Sequence, residues 1–201
     1  MSVEICAVVD RIGMDLAPAR AVGDGPYVVV ADATEAGVAE RIASRVAVLR
    51  ALQGTACLPF RLGSAVDDDA AAGEWLSRHR PAVEAALARA AGRAEFDLHL
   101  VPAPDTPLGP AGDGPGTRHL RQLAARYAAL SEERAGRVLA ACDALPGVVE
   151  TAVVAEGGFI AFLVSDVTAF ADAVRSLPLA GARWSGPWPA FTFAERWLAD
   201  A

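Results

Sequence analysis

Lysine is absent from this 201-residue chain; all 18 basic side chains are arginine. A phosphate-loop lysine and a Schiff-base lysine are therefore excluded, because both chemistries need a primary amine. Cysteine is scarce and poorly placed for pairing. Cys6, Cys57 and Cys142 are odd in number, far apart and without CxxC spacing, so they read as buried thiols of a reducing compartment. Positive charge is also short, with a net charge of −7. No basic cluster offsets it, which argues against a nucleic-acid backbone or an anionic membrane surface as partner. No uninterrupted apolar run reaches the ~18 residues of a membrane span. Met1–Ile5 lacks the basic start of a signal peptide. The expectation is a soluble, cytoplasmic protein.

Catalytic chemistry is equally thin. His79, His99 and His119 show no metal-ligand spacing and have no nucleophile-elbow serine to serve, so each reads as solvated. Asp67, Asp68 and Asp69 lack the later glycine and bidentate glutamate of a calcium loop. Residues 112–116 (GDGPG) precede a helical pattern, but without a lysine and with an internal proline they read as a linker. No carboxylate pair stands out. The sequence predicts no enzyme, no catalytic residue, no metal, no cofactor and no small-molecule substrate.

What is present is a chain long enough for a core and for one or two domains. Apolar residues make up 53%, inflated by 45 alanines. Val3–Val9 is a short β-branched run and reads as a buried strand. Asp10–Gly25 reads as loop, and Pro26–Ala31 as a second strand. Asp32–Glu35 offers a capping box for a helix with Val38, Ile42, Val46, Leu49 and Leu52 on its apolar face. Thr55–Phe60 reads as a strand, and Asp67–Asp69 as the start of a helix carrying Trp75, Leu76, Val83 and Leu87, kinked or restarted at Pro81. Glu95–Val101 alternates, with Phe96, Leu98 and Leu100 inward and Glu95, Asp97 and His99 outward, as in a half-exposed strand. Residues 102–116 hold five prolines and four glycines and read as loop. A long helix follows from Thr117 to Leu145. Val148–Val154 and Phe159–Ser165 form a hairpin signal about Glu156–Gly158. Asp166 caps a short helix with Val167, Phe170, Val174 and Leu177, and Gly181–Ser185 is the last strand.

From Glu95 to Ser185 the order is strand, helix, strand, strand, helix, strand, which is the ferredoxin-like order. The prediction is an α+β protein of two domains. Residues 1–93 form a modified ferredoxin-like N-terminal domain, and residues 94–201 a ferredoxin-like C-terminal domain.

Two stretches stand apart. Four of the 13 Phe, Trp and Tyr residues lie between Trp184 and Phe193. Gly186, Pro187 and Pro189 around Trp188 break regular structure, so the stretch reads as a stiff aromatic exit. Trp188 and Phe191 are predicted to pack back near Leu58–Arg61 and tie the two halves. The cis or trans state of Pro187 and Pro189 is left open. Arg61, after Leu58-Pro59-Phe60, reads either as a partly buried ion-pair residue at a domain junction or as a partner contact.

Three segments in register resemble the gas vesicle GvpF/GvpL proteins. Leu58-Pro59-Phe60-Arg61-Leu62-Gly63-Ser64 is similar to their LPFRFGT or LPMRFGT segment. Ala161-Phe162-Leu163-Val164 is similar to their AFLV strand. Ser185-Gly186-Pro187-Trp188-Pro189-Ala190-Phe191-Thr192-Phe193 is similar to their TGPWPPYSF. Phe159 stands where the family usually has asparagine, and His119-Leu120 where it often has Tyr-Leu. The resemblance implies an accessory protein of gas vesicle assembly, located at the gas vesicle or in the cytoplasm. It implies binding of the apolar shell protein and other vesicle accessory proteins, as a nucleation factor or chaperone. On motif identity the partner-binding or anchoring residues are Pro59, Phe60, Arg61, Gly63, Gly186, Pro187, Trp188, Pro189 and Phe191. The alternative is a regulatory α+β domain that binds a small molecule.

Overall fold

The computed structural model describes residues 2–13, 15–32, 37–52, 54–100, 114, 116–122, 136, 139–140, 142, 144–154, 158–177 and 182–199. The protein is α+β, with two antiparallel sheets. Two compact units divide it. One comprises Met1–Ala94 together with Pro189–Ala201, and the other Glu95–Trp188. This corrects the boundary expected from sequence: the chain after Trp188 belongs with the first unit, because its aromatic residues are buried there.

The first unit is built on β1 (Val3–Val9), β2 (Arg20–Val22), β3 (Tyr27–Asp32), β4 (Cys57–Pro59) and β5 (Ala65–Val66). The sheet order is β2-β3-β1-β4, with β5 also paired to β1. Every residue of β1 is buried. A strand buried at all positions needs cover on both faces, and α1 (Val38–Ala51) and α2 (Asp69–Ala90) both pack against it. Burial of each such valine or isoleucine contributes about 1.5–3 kcal/mol. Strand β2 lies in the stretch read as loop; three residues give too short a pattern to recognise. Asp68 caps α2, its carboxylate accepting from the Ala71 amide at 2.8 Å. The helix runs through Pro81 as one element. Asp32 ends β3 and pairs with Arg20, and Gly37 is the N-cap of α1, with no side-chain bond. The rest of the expected capping box lies outside the described residues.

The apolar face predicted for α1 holds at Leu49 and Leu52, which are buried, but not over its first turns. Arg45, Val48 and Leu49 are buried, whereas Val38 and Ile42 are exposed. Arg45 turns inward because a buried carboxylate and three carbonyls wait for it, as set out below.

The second unit contains β6 (Ala94–Leu100), β7 (Val148–Val154), β8 (Phe159–Val164), β9 (Ala182–Trp188) and α3 (Val167–Arg175). Its sheet order is β7-β8-β6-β9. Phe96, Leu98, Ile160, Phe162 and Val164 face α3, which inserts Phe170 and Val174. Asp166 caps α3 through the Ala169 amide at 2.9 Å. Residues 116–122 are helical. Most of the 102–116 loop and of the expected Thr117–Leu145 helix lies outside the described residues.

Two further expectations change. Strand β9 continues through Gly186 and Pro187 to Trp188. It can do so because β9 is an edge strand, where a missing N–H costs no ladder bond, and because the β6–β9 register shifts between Glu95 and Asp97. The Gly186–Pro187 bond is cis. The aromatic exit is not extended either: Phe191–Ala199 forms α4.

Candidate functional site

The segment after β4 is held by charge buried beneath it. Phe60 N–H donates to the Cys6 carbonyl at 3.0 Å, and Ser64 N–H to the Arg61 carbonyl at 3.1 Å, which closes a turn. Ile5 N–H donates to the Ser64 carbonyl at 2.7 Å. Glu4, a lone acid within β1, accepts the Gly63 amide. It also accepts from Arg41 at 3.2 Å and Arg45 at 3.3 Å. Arg45 Nη2 donates to the carbonyls of Ile5 at 2.8 Å, Cys6 at 3.2 Å and Phe60. Burial pushes the Arg45 guanidinium below its ordinary value, while Cys6 and Glu4 oppose the fall. Gly63 sits at φ +90°, with open space where a Cβ would stand. The Phe60 ring meets Trp75 edge-on at 5.2 Å, and Trp75 stacks on His79 at 4.8 Å. His79 also contacts the Trp75 carbonyl through Nδ1 at 2.8 Å.

Above this base, the turn offers side chains to solvent. Arg61 is 78% exposed and bonds Glu195 of α4 at 2.7 Å. It therefore has the carboxylate partner anticipated for it, but on the surface rather than partly buried. Leu62 is exposed. Helix α4 packs against α2 and β4, burying Phe193, Ala194 and Trp197. The Arg89 guanidinium lies 4.4 Å over the Trp197 ring. Phe191 packs against the cluster that contains Cys6 and Cys57.

Trp188 behaves otherwise. It ends β9 at 43% exposure, and its indole N–H donates to Ser185 Oγ at 3.2 Å. It is not the buried clasp anticipated from its ring. Gly186, at φ +125°, lies so close to β6 that a Cβ would stand 2.8 Å from the Glu95 carbonyl oxygen. Pro59, Phe60, Arg61, Gly63 and Phe191 thus gather in the first unit, while Gly186, Pro187 and Trp188 line the end of β9 in the second. Glu4, Arg45 and Glu195 escaped notice in the sequence. The available signals were an acid inside the β-branched run Val3–Val9 and an arginine at helical spacing from Ile42, Val48 and Leu49.

Other features are small or structural. A cavity of about 230 Å³ lies among Asp10, Pro26, Ala56, Glu84, Leu87, Ala88 and Ala91, below the usual span of small-molecule pockets. All three cysteines are free and buried; burial pushes the Cys57 thiol up to about 12. Among the described residues, no cluster of three or more His, Cys, Asp and Glu is placed to hold a metal ion. Among the same residues, no helix is long and apolar enough to cross a membrane.

The family model of gas vesicle synthesis proteins GvpL/GvpF matches residues 6–195. This chain belongs to that family. Two solved structures share its fold. The gas vesicle protein GvpF from Anabaena sp. PCC7120 is 17% identical, with 96% of this chain and 98% of that one covered at a TM-score of 0.65. GvpF from Microcystis aeruginosa is 12% identical over the same shares, at a TM-score of 0.62. No curated protein matches at a significant level. Membership of the GvpL/GvpF family links the chain to gas vesicle synthesis and gives the two motif segments a common context.

Proposed function

We propose that the protein is a non-catalytic accessory factor of gas vesicle assembly that docks the apolar shell subunit, as a nucleation factor or chaperone, in the cytoplasm or at the vesicle. In this reading the second unit is a ferredoxin-like module. The strand order β7-β8-β6-β9 supports that, with the first and third strands of the unit central and the second and fourth at the edges.

The observation that carries the docking reading is the edge strand β7. Val149 and Val153 are 45% and 48% exposed there, and Thr151 between them is exposed too. An uncovered apolar edge is a template for strand addition. The opposite edge, β9, carries Pro187, which has no N–H to offer. The partner that suits β7 is an extended segment with alternating apolar side chains, as an apolar shell subunit would supply. Arg61, exposed on the first unit, and Trp188, exposed at the opposite sheet edge of the second, are assigned as separate partner contacts. Pro59, Phe60, Gly63, Gly186, Pro187, Pro189 and Phe191 are assigned as anchors of those contacts.

Co-expression with the shell protein and affinity capture of the full chain tests this. Capture is expected with the native chain. A Val149→Asp, Val153→Asp double variant with native circular dichroism is expected to lose at least about tenfold in retention, about 1.4 kcal/mol. Equal retention by the variant would remove β7 as the docking edge. No capture at all would sink the shell-binding role.

A further inference from the structure

The cavity of the first unit has an apolar floor and an acidic rim. It opens where the end of β1, the start of β3 and the last turns of α2 meet, and it holds about 230 Å³. Pro26 and Leu87 in its floor are buried, and Ala56 is half-buried. Asp10 and Glu84 at its rim are exposed, as is Ala88 between them and the end of the helix. Hydrogen bonds hold the walls in place. Asp10 N–H donates to the Ala56 carbonyl at 3.3 Å. Arg80 Nη1 donates to the Gly25 carbonyl at 2.8 Å, which ties the residue before Pro26 to α2.

The charged residues that line the cavity are both acids. Arg80 is engaged by Asp24 at 2.8 Å and comes no nearer to Glu84 than 3.9 Å. Arg89, in the last turn of α2, lies over the Trp197 ring. The cavity also borders Ala91, the C-cap of α2, where the helix dipole adds negative potential. The Asp10 charge is felt inward too: after burial, it is what raises the Cys57 thiol. A wholly apolar ligand leaves both rim acids unmet, and a bare cation gains nothing from the floor. The volume lies below the ~300 Å³ at which pockets for whole small molecules begin, so it suits one side chain rather than a free metabolite.

We infer that this cavity docks a partner peptide, taking an apolar side chain on its floor and a nearby lysine or arginine against Asp10 and Glu84. In an extended segment the two side chains stand two residues apart, on one face. The apolar anchor is desolvated between Pro26 and Leu87, while the basic head stays at the wet rim, where both acids accept its hydrogen bonds. The site lies in the first unit and is independent of the docking edge β7.

Nitrogen-15 amide shifts of the full chain, titrated with the capped tripeptide acetyl-Leu-Ala-Arg-amide, test this. Saturable shifts are expected at Asp10, Ala56, Leu87 and Ala88, with millimolar affinity. Acetyl-Leu-Ala-Glu-amide lacks the cation and acetyl-Ala-Ala-Arg-amide the large anchor; each is expected to bind at least about tenfold more weakly. Raising salt from about 50 mM to about 500 mM is expected to shrink the preference for arginine over glutamate. Asp10→Asn combined with Glu84→Gln, both at exposed positions, is expected to remove that preference. Ala88→Trp fills the hollow from an exposed helix position and is expected to abolish the shifts. Equal affinity for the three peptides would overturn the proposal, as would an arginine preference that survives in the double variant. Shifts that persist in Ala88→Trp, or none that saturates below about 20 mM, would do the same.

Discussion

Gly63 and Gly186 both adopt positive φ, but their surroundings differ. At Gly63 a methyl group would enter open space, whereas at Gly186 it would strike the Glu95 carbonyl at 2.8 Å and the Phe96 ring at 3.0 Å. Gly63→Ala carries the conformational cost alone, about 1–2 kcal/mol. Gly186→Ala adds a clash with backbone that only a shift of β6 or β9 can relieve. Denaturant unfolding is expected to show the larger loss at Gly186, and equal losses would contradict this account of β9. The need for glycine at both places was readable as motif identity but not as geometry. Glu4 and Arg45 show why other parts were hidden. Each reads as an interruption of an apolar pattern, and only the fold brings them within 3.3 Å of each other. Glu95, only 1% exposed, shows the same from the other side: alternation correctly divided β6 into two faces but does not tell whether the polar face meets water.

At the scale of the element, α4 illustrates where pattern and context part. Pro187 and Pro189 marked the region as broken, yet Phe193 and Trp197 stand four residues apart, as on one helix face. That spacing was legible; the two prolines before it drew the reading toward an extended tail. The helix joins its unit through a buried contact and a surface one, and their worth differs. Trp197→Ala, at a buried site, is expected to cost about 3–5 kcal/mol. Arg61→Ala removes an exposed pair with Glu195 and is expected to change stability by less than about 1 kcal/mol. Thermal unfolding of the two variants checks the ranking. If Arg61→Ala leaves the fold unchanged but weakens partner capture, the loss belongs to binding.

At the scale of the whole molecule, the second unit is continuous while the first is closed by the far end of the chain. The strand and helix order inside each unit was largely legible, because short β-branched runs and capped helices are local signals. The return of Pro189–Ala201 to the first unit was not, because nothing near α4 in sequence says which core will receive its rings. A chain ending at Pro189 is expected to lose amide protection in β1, β3 and β4 while β7 and β8 keep theirs. Hydrogen exchange with mass spectrometry would show this, and equal loss in both sheets would contradict it.

That interleaving also orders events on the ribosome. Residues 1–94 emerge first, but their core lacks Phe193 and Trp197 until about 100 more residues have been made. At ~5–20 residues per second that is an interval of about 5–20 s. During it the second unit, complete by Trp188, is free to fold ahead of the first. Until α4 arrives, the apolar surface of β4 and α2 that receives it stays uncovered.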